Sequence, residues 1–194
     1  MALTLVTGPP VEPISVTTAR LALKIDTTVD DALIDKWIGA ARDYVETFTG
    51  RKLITQTWDL KLDGFPSCDV IELPFPPVTS VTSVSYVDTA GATQTWSSAN
   101  YTTDLPAGDQ AYRARITPAY GVSWPSTRDV INAVTVRFVC GYAAPEKVPE
   151  GLQSALLALI GHKYYHREAV VVGTIAQVVP FGVESDLWPF WCKG

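Results

Sequence analysis

The chain has 194 residues, of which 47% are hydrophobic and 18% charged, which suits one domain, or a domain with a large insertion, and excludes wholesale disorder. The net charge of −5 argues against a protein that grips DNA phosphates. Cys68, Cys140 and Cys192 lie far apart without a CxxC pair, so we predict neither a disulfide framework nor a zinc site, and a reducing cytoplasm is expected. The first residues lack the pattern of a signal peptide, and no apolar run reaches the ~18 residues of a membrane-spanning helix.

The N-terminal region begins with residues rich in Pro and Gly. Residues 1–14 are therefore predicted to form an extended arm. Ser15 and Thr17 are both candidate N-caps for a short helix over residues 17–24.

A longer helix is predicted next, beginning at Asp30 and Asp31 and ending at Gly50. The acidic first turn suits the helix dipole, and glycine is the favoured residue just past a helix end. Apolar residues at helical spacing lie on one face of this helix: Leu33, Ile34, Trp37, Ile38, Ala41, Val45 and Phe48.

After Arg51 the apolar residues alternate with polar ones, which is typical of half-buried strands. Turn residues separate the successive segments. Strands are predicted over residues 54–63, 70–73, 78–87, 93–96, 101–104, 112–117 and 131–140. Short strands at this spacing indicate an antiparallel β-module of about 90 residues.

Helical character returns after the β-module. Pro149 at the first helical position and charged residues at both ends predict a helix over residues 149–168, with an apolar stripe that includes Leu152 and Leu156. The following tail, residues 169–194, has few charges and many Val, Phe and Trp residues. A short helix is predicted within it over residues 183–187.

The sequence shows no catalytic pattern. His162 and His166 are spaced to share a helix face, but Lys163 stands where a zincin has Glu and no third ligand is evident, so no metal site is predicted. No nucleophile elbow or phosphate-binding glycine loop occurs, so we expect neither an enzyme nor a cofactor. Arg113 and Arg115 share one strand face, where surface ion pairs are a commoner role than phosphate binding.

Several short segments follow one another in a recognisable order: EPIS at 12–15, DDALI at 30–34, AAR at 40–42, ETFTGR at 46–51, LITQTW at 53–58, LPFPPV at 73–78, YVD at 86–88 with Gly91, PAYG at 118–121, WP at 124–125, VRFVCGY at 136–142 and REAVV at 167–171. In this order they resemble the head–tail connector (adaptor) family of tailed phages, which also occurs in prophages and gene transfer agents. The resemblance covers nearly the whole chain, and each segment is short.

This resemblance implies an α+β fold with a connector-type helical core, made of two N-terminal helices and one long C-terminal helix. Residues 1–50 would supply the arm and first helices, 51–148 an inserted antiparallel β-domain, 149–168 the long helix and 169–194 an apolar docking tail. It further implies a ring, commonly of twelve subunits, below the portal protein at the capsid vertex. Such a ring extends the DNA channel and offers a platform to the stopper or tail-completion protein. Double-stranded DNA would pass through it without sequence-specific binding, and no membrane partner is expected. The subunit is expected in the host cytoplasm before assembly and in the virion neck afterwards.

Two groups of residues follow as hypotheses. The tail either caps the chain's own core or buries its aromatic residues in a partner, and the resemblance favours docking on the portal. The docking residues would be Val178, Val179, Phe181, Leu187, Trp188, Phe190 and Trp191. The ring interface would include His162, Tyr164, Tyr165 and His166.

Two other functions compete with the connector. A stopper or tail-completion protein would bind the opposite face of the ring, although two strong helices speak against it. A carbohydrate-binding or adhesion module would use exposed Trp residues on the β-portion, although the sequence shows no secretion signal.

Overall fold

The chain folds into two compact units, described by a computed structural model for residues 1–109, 111–166 and 181–192, with the side chain of Phe181 excepted. The β-unit consists of Met1–Pro10 and Thr55–Tyr142. The helical unit consists of Val11–Ile54 and Ala143–Gly194. The predicted α+β class is confirmed, since helices and antiparallel sheets are both present.

The elements follow the predicted order along the chain. The helices are α1 (Val16–Leu23), α2 (Asp31–Thr49), α3 (Glu150–Tyr165) and α4 (Phe181–Leu187). The strands are β1 (Ala2–Thr7), β2 (Gln56–Leu62), β3 (Ile71–Leu73), β4 (Val78–Val87), β5 (Thr93–Trp96), β6 (Tyr101–Asp104), β7 (Ala114–Pro118) and β8 (Val134–Cys140).

The β-unit contains two antiparallel sheets that share one apolar core. The five-stranded sheet has the order β1-β2-β8-β4-β5, and the three-stranded sheet has the order β3-β7-β6. Alternation along the strands turns every second side chain inward. The buried cluster draws residues from both sheets: Leu60, Ile71, Leu73, Val78, Val84, Trp96, Ala114, Ile116, Val134, Val136, Phe138 and Cys140.

The first strand differs from the predicted arm. Ala2–Thr7 are extended, but they pair with β2 instead of standing free, and Leu3 lies opposite Leu60. Because this pairing joins residues that are far apart in sequence, the local composition of residues 1–14 gave no sign of it. The domain boundary predicted at residue 50 thus places these residues with the helices, whereas Met1–Pro10 lie in the β-unit.

The helical unit begins with well-defined helix ends. The Ser15 hydroxyl accepts a hydrogen bond from the Thr18 backbone N–H at 3.0 Å, so Ser15, one of the two candidate N-caps, caps α1. Gly50 ends α2 at a φ of 74°, which a glycine adopts without strain. Helix α3 ends at Tyr165, earlier than the predicted residue 168, because the backbone of His166 leaves helical geometry. Residues 167 and 168 lie outside the described part.

The three longer helices pack on one another and bury the centre of the apolar face predicted for α2, whereas Leu33 is exposed and Trp37 and Phe48 are half-buried. Helix α3 contacts both α1 and α2, and α4 contacts α3. The buried residues of this unit include Ala19, Leu23, Ile34, Ile38, Ala41, Val45, Leu53, Leu152, Leu156, Ile160, Val183 and Leu187. Glu46 is also buried, and its carboxylate accepts hydrogen bonds from the Lys52 ammonium at 2.7 Å and the Leu53 backbone N–H at 3.0 Å.

An ion pair on the outer face of the large sheet makes the stability of the β-unit depend on pH. Arg137 donates two hydrogen bonds to Asp59, at 2.8 and 2.9 Å, and these bonds lower the pKa of the Asp59 carboxyl. A carboxyl with a lowered pKa in the folded state contributes stability above its unfolded pKa and loses it as the pH falls. We expect Asp59→Asn to be less stable than the wild type at pH 7.

The difference between the two proteins should shrink as the pH falls from about 5 towards 2, because the wild-type carboxyl becomes protonated. Urea unfolding at several pH values would measure it. A difference that stays constant over this range would contradict the assignment to the Asp59 charge.

Candidate docking surfaces of the helical unit

Four aromatic side chains form a continuous surface on the helical unit, and we call Tyr44, Phe48, Trp188 and Trp191 the aromatic surface. Neighbouring ring centroids lie 6.2 Å apart for Tyr44 and Phe48, 6.0 Å for Phe48 and Trp188, and 5.8 Å for Trp188 and Trp191. Trp188 is 59% exposed and Trp191 is 46% exposed. Large exposed aromatic side chains of this kind are enriched where proteins bind one another.

The phenol of Tyr44 adds a neutral polar group to this surface. Burial raises the pKa of Tyr44, and the negative charge of Glu184 raises it further. The hydroxyl therefore stays protonated at neutral pH and is available as a hydrogen-bond donor. The surface is consequently apolar with a polar margin, as in the core and rim of a protein interface.

The segment that carries the two Trp residues is fixed at the end of α2. Arg51, only 2% exposed, donates from Nε to the Phe190 carbonyl at 2.6 Å. The Cys192 backbone N–H donates to the Thr49 carbonyl at 2.7 Å. These two bonds tie the C-terminal side of the short turn 188–190 to the end of α2 and thereby help to orient the aromatic surface.

Other tail residues anchor the same segment from within the core. Val183 and Leu187 are buried in the helical unit. The Phe190 ring lies so close to α3 that a Cβ added to Gly151 would stand 3.0 Å from it. Through these residues the described part of the tail packs on its own chain.

The predicted docking residues thus fall into three groups. Trp188 and Trp191 are exposed, Phe190 is half-buried and Leu187 lies in the core. Val178 and Val179 lie outside the described residues, as does the side chain of Phe181.

The predicted ring-interface residues lie together at the C-terminal end of α3. The rings of His162 and His166 are stacked with centroids 4.6 Å apart, and Tyr165 is 69% exposed. Tyr164 is half-buried and meets Trp37 edge-to-face at 5.9 Å. Burial lowers the pKa of His162, and the nearby His166 and Lys163 lower it further, so neutral pH leaves this ring uncharged.

Other predicted chemistry can be located as well. Within the described ranges no three His, Cys, Asp or Glu side chains are grouped for a metal ion, and no helix there is long and apolar enough to cross a membrane. Arg113 forms an ion pair with Glu72, and Arg115 pairs with Asp104 at 2.6 Å, so both carry the surface pairing expected for them.

The Trp residues of the β-unit are packed in its interior, contrary to the arrangement expected for a carbohydrate-binding face. Trp96 is buried, and Trp124 stacks on Phe65 with centroids 4.6 Å apart. Trp58 is half-buried against Phe75. The strongly exposed Trp side chains in the described part lie on the helical unit, which removes the observation on which the adhesion alternative depended.

Comparisons with known proteins found similarity to one family model and to chains of gene transfer agent particles. A family model described as phage gp6-like head-tail connector protein matches residues 13–105. A chain from the neck of an empty gene transfer agent particle, computed with C6 symmetry, has a TM-score of 0.81 and 26% identity, with 100% of this chain and 97% of that chain covered. A chain from the virion of the native particle gives 0.80 and 26% with the same coverage.

A third structure supports the fold alone. A chain from the neck of the native particle, computed with C12 symmetry, has a TM-score of 0.75 and 24% identity, again covering 100% of this chain and 97% of that chain. None of the curated proteins matches the chain.

The bond from Arg51 makes a prediction for the aromatic surface. Arg51→Ala removes the donor to the Phe190 carbonyl, so residues 188–192 should exchange their amide hydrogens faster, and the free energy of unfolding should fall by about 1–3 kcal/mol. Hydrogen exchange with mass spectrometry and urea unfolding would measure these effects. Arg115→Ala, which removes an exposed ion pair in the β-unit, is the control and should leave exchange at 188–192 unchanged.

Proposed function

We propose that the chain is a structural, non-enzymatic ring subunit in the neck of a tailed particle, because it resembles phage-like head–tail connectors in sequence and fold. The observation that carries this proposal is the match of the whole fold to a neck chain, with a TM-score of 0.81 over all of this chain. The cyclic symmetry used for the related necks supports a ring oligomer. We propose that twelve subunits assemble into a ring below the portal, and that the subunit is in the host cytoplasm before assembly.

In this arrangement the aromatic surface docks on the portal. Trp188 and Trp191 supply exposed rings for burial in a partner, while Leu187 and Phe190 hold the segment in place from the core side. Val178, Val179 and Phe181 complete the proposed docking segment on the basis of their hydrophobicity. Fixing an aromatic anchor before binding lowers the entropy lost on association, which favours a preformed surface over a free tail.

Lateral contacts within the ring are assigned to the end of α3. Tyr165 and His166 are exposed there, whereas His162 and Tyr164 support them from half-buried positions. Each ring interface joins two different surfaces of neighbouring subunits, so these residues would meet a different patch on the next copy.

The ring would extend the DNA channel and carry the stopper or tail-completion protein on its far face. The net charge of −5 supports a wall past which DNA moves without sequence-specific binding. We assign no cofactor and no catalytic residue to this subunit.

The portal-docking proposal is tested with point substitutions. Deleting residues 169–194 would also remove the buried Val183 and Leu187, so loss of binding could then reflect unfolding. We expect Trp188→Ala with Trp191→Ala to weaken binding to the cognate portal at least tenfold, because two anchor rings are lost. Light scattering after size exclusion, with the portal at several concentrations, would measure it.

The control is Tyr120→Ala, which removes a fully exposed aromatic ring from the β-unit. It should leave portal binding unchanged. Binding of the double Trp variant with wild-type affinity would exclude the aromatic surface as the docking site. A wild-type chain that stays monomeric alone and with the portal would contradict the connector function itself.

The lateral contact makes a separate prediction. Tyr165→Asp places a charge in the proposed interface, so the ring-sized species should be lost while the folded monomer keeps its circular dichroism spectrum. Tyr120→Asp is the matched control, since it adds the same charge at an exposed Tyr elsewhere. Rings of unchanged mass with Tyr165→Asp would remove α3 from the lateral interface.

A further inference from the structure

The five-stranded sheet ends in two different open edges. Its order places β1 at one end and β5 at the other, and among the described residues no strand lies beyond either. An open edge presents backbone N–H and C=O groups that can pair with another chain.

The two edges lack charged residues and prolines, which protect many edge strands from pairing with other chains. Neither Ala2–Thr7 nor Thr93–Trp96 contains a charged residue or a proline. The edge strands of the smaller sheet contrast with them, since Ile71–Leu73 carries Glu72 and Tyr101–Asp104 carries Asp104. Charged side chains on an edge discourage pairing between molecules, so charge protects the edges of the small sheet but not those of the large one.

The inner face of β1 also remains partly uncovered. Leu3 and Leu5 lie opposite Leu60 and Trp58, which places them on the core side of the sheet. Leu5 is nevertheless 48% exposed, because β1 has a neighbour on one side alone within the described part. A strand added beyond β1 would bring inward-facing side chains next to Leu5 and cover it.

We infer that β1 of one subunit pairs with β5 of the next copy of this chain, so that the large sheet continues from subunit to subunit. This inference rests on the proposed ring. A cyclic ring needs two different, complementary surfaces on each subunit, and the two uncharged edges of one sheet meet that requirement.

The direction of this pairing follows from the sheet itself. All four strand pairs of the large sheet are antiparallel, so β1, β8 and β5 run in the same direction. A neighbour related by the small rotation of a many-membered ring keeps nearly that direction, and the new pair is therefore parallel. Pairing of β1 with β1 of another copy would instead follow a two-fold axis and give a closed dimer.

Disulfide cross-linking tests the inference directly. Thr4 lies opposite Asp59, and Thr95 lies opposite Ser85, which puts both on the outer face of the sheet. In a background with Cys68→Ser and Cys192→Ser, the double variant Thr4→Cys, Thr95→Cys is oxidised in the ring fraction, formed alone or on the portal. Thr4→Cys is also combined with Thr93→Cys, two residues along β5. We expect a ladder of covalent multimers on a non-reducing gel from one of these two double variants.

The outcomes separate this inference from the proposed function. The control Thr4→Cys, Thr135→Cys places the second thiol on the central strand β8 and should give no ladder. An intact ring without a ladder from either β5 position overturns the edge pairing and leaves the connector function standing. Covalent dimers from Thr4→Cys alone also overturn it, because they indicate two-fold pairing of β1. Absence of any ring under all conditions overturns both.

A charge on the edge provides a second, independent measurement. Leu5→Lys introduces a charge into β1 at a half-exposed position, so the monomer should keep its unfolding midpoint while the ring-sized species falls at least tenfold. Leu21→Lys, at a strongly exposed position on α1, is the matched control and should leave the ring intact. Normal rings with Leu5→Lys would count against pairing through β1.

Discussion

The fold depends on bringing together two chain segments that the β-unit separates. The Tyr142 carbonyl accepts hydrogen bonds from both the backbone N–H and the hydroxyl of Thr55, each at 3.0 Å, across 87 residues. The chain therefore enters and leaves this part of the β-unit at neighbouring points. That closure lets α3 pack against α1 and α2 in one core, and α4 and the aromatic surface are then built on that core.

The sequence predicted those elements whose signals are local. The 3.6-residue period and Gly50 placed α2 within a residue of its observed bounds, and alternation located all the strands from β2 to β8. Strand β1 was missed because its pairing with β2 is long-range and the neighbouring Gly8, Pro9 and Pro10 dominate the local composition. The resemblance to head–tail connectors, carried by short segments in order, is confirmed by the family and fold comparisons.

The candidate surfaces were predictable only in part. Hydrophobicity marked the tail as a segment that must be buried somewhere, but it could not separate Leu187, which fills the core, from Trp188, which is exposed. The bond from Arg51 to the Phe190 carbonyl spans 139 residues and has no local signature. Tyr44 and Phe48 joined the aromatic surface because the tail packs beside α2, which a one-dimensional pattern cannot show.

The strand order also dictates when the large sheet can form during synthesis. Strand β8 is the last of its five strands to leave the ribosome, yet it lies at the centre, between β2 and β4. Until Cys140 has emerged, β1 with β2 and β4 with β5 can form only two separate strand pairs with exposed inner faces. The sheet is therefore completed in one late step. The nascent chain exposes its most aggregation-prone surface just before the following helical segment begins to emerge.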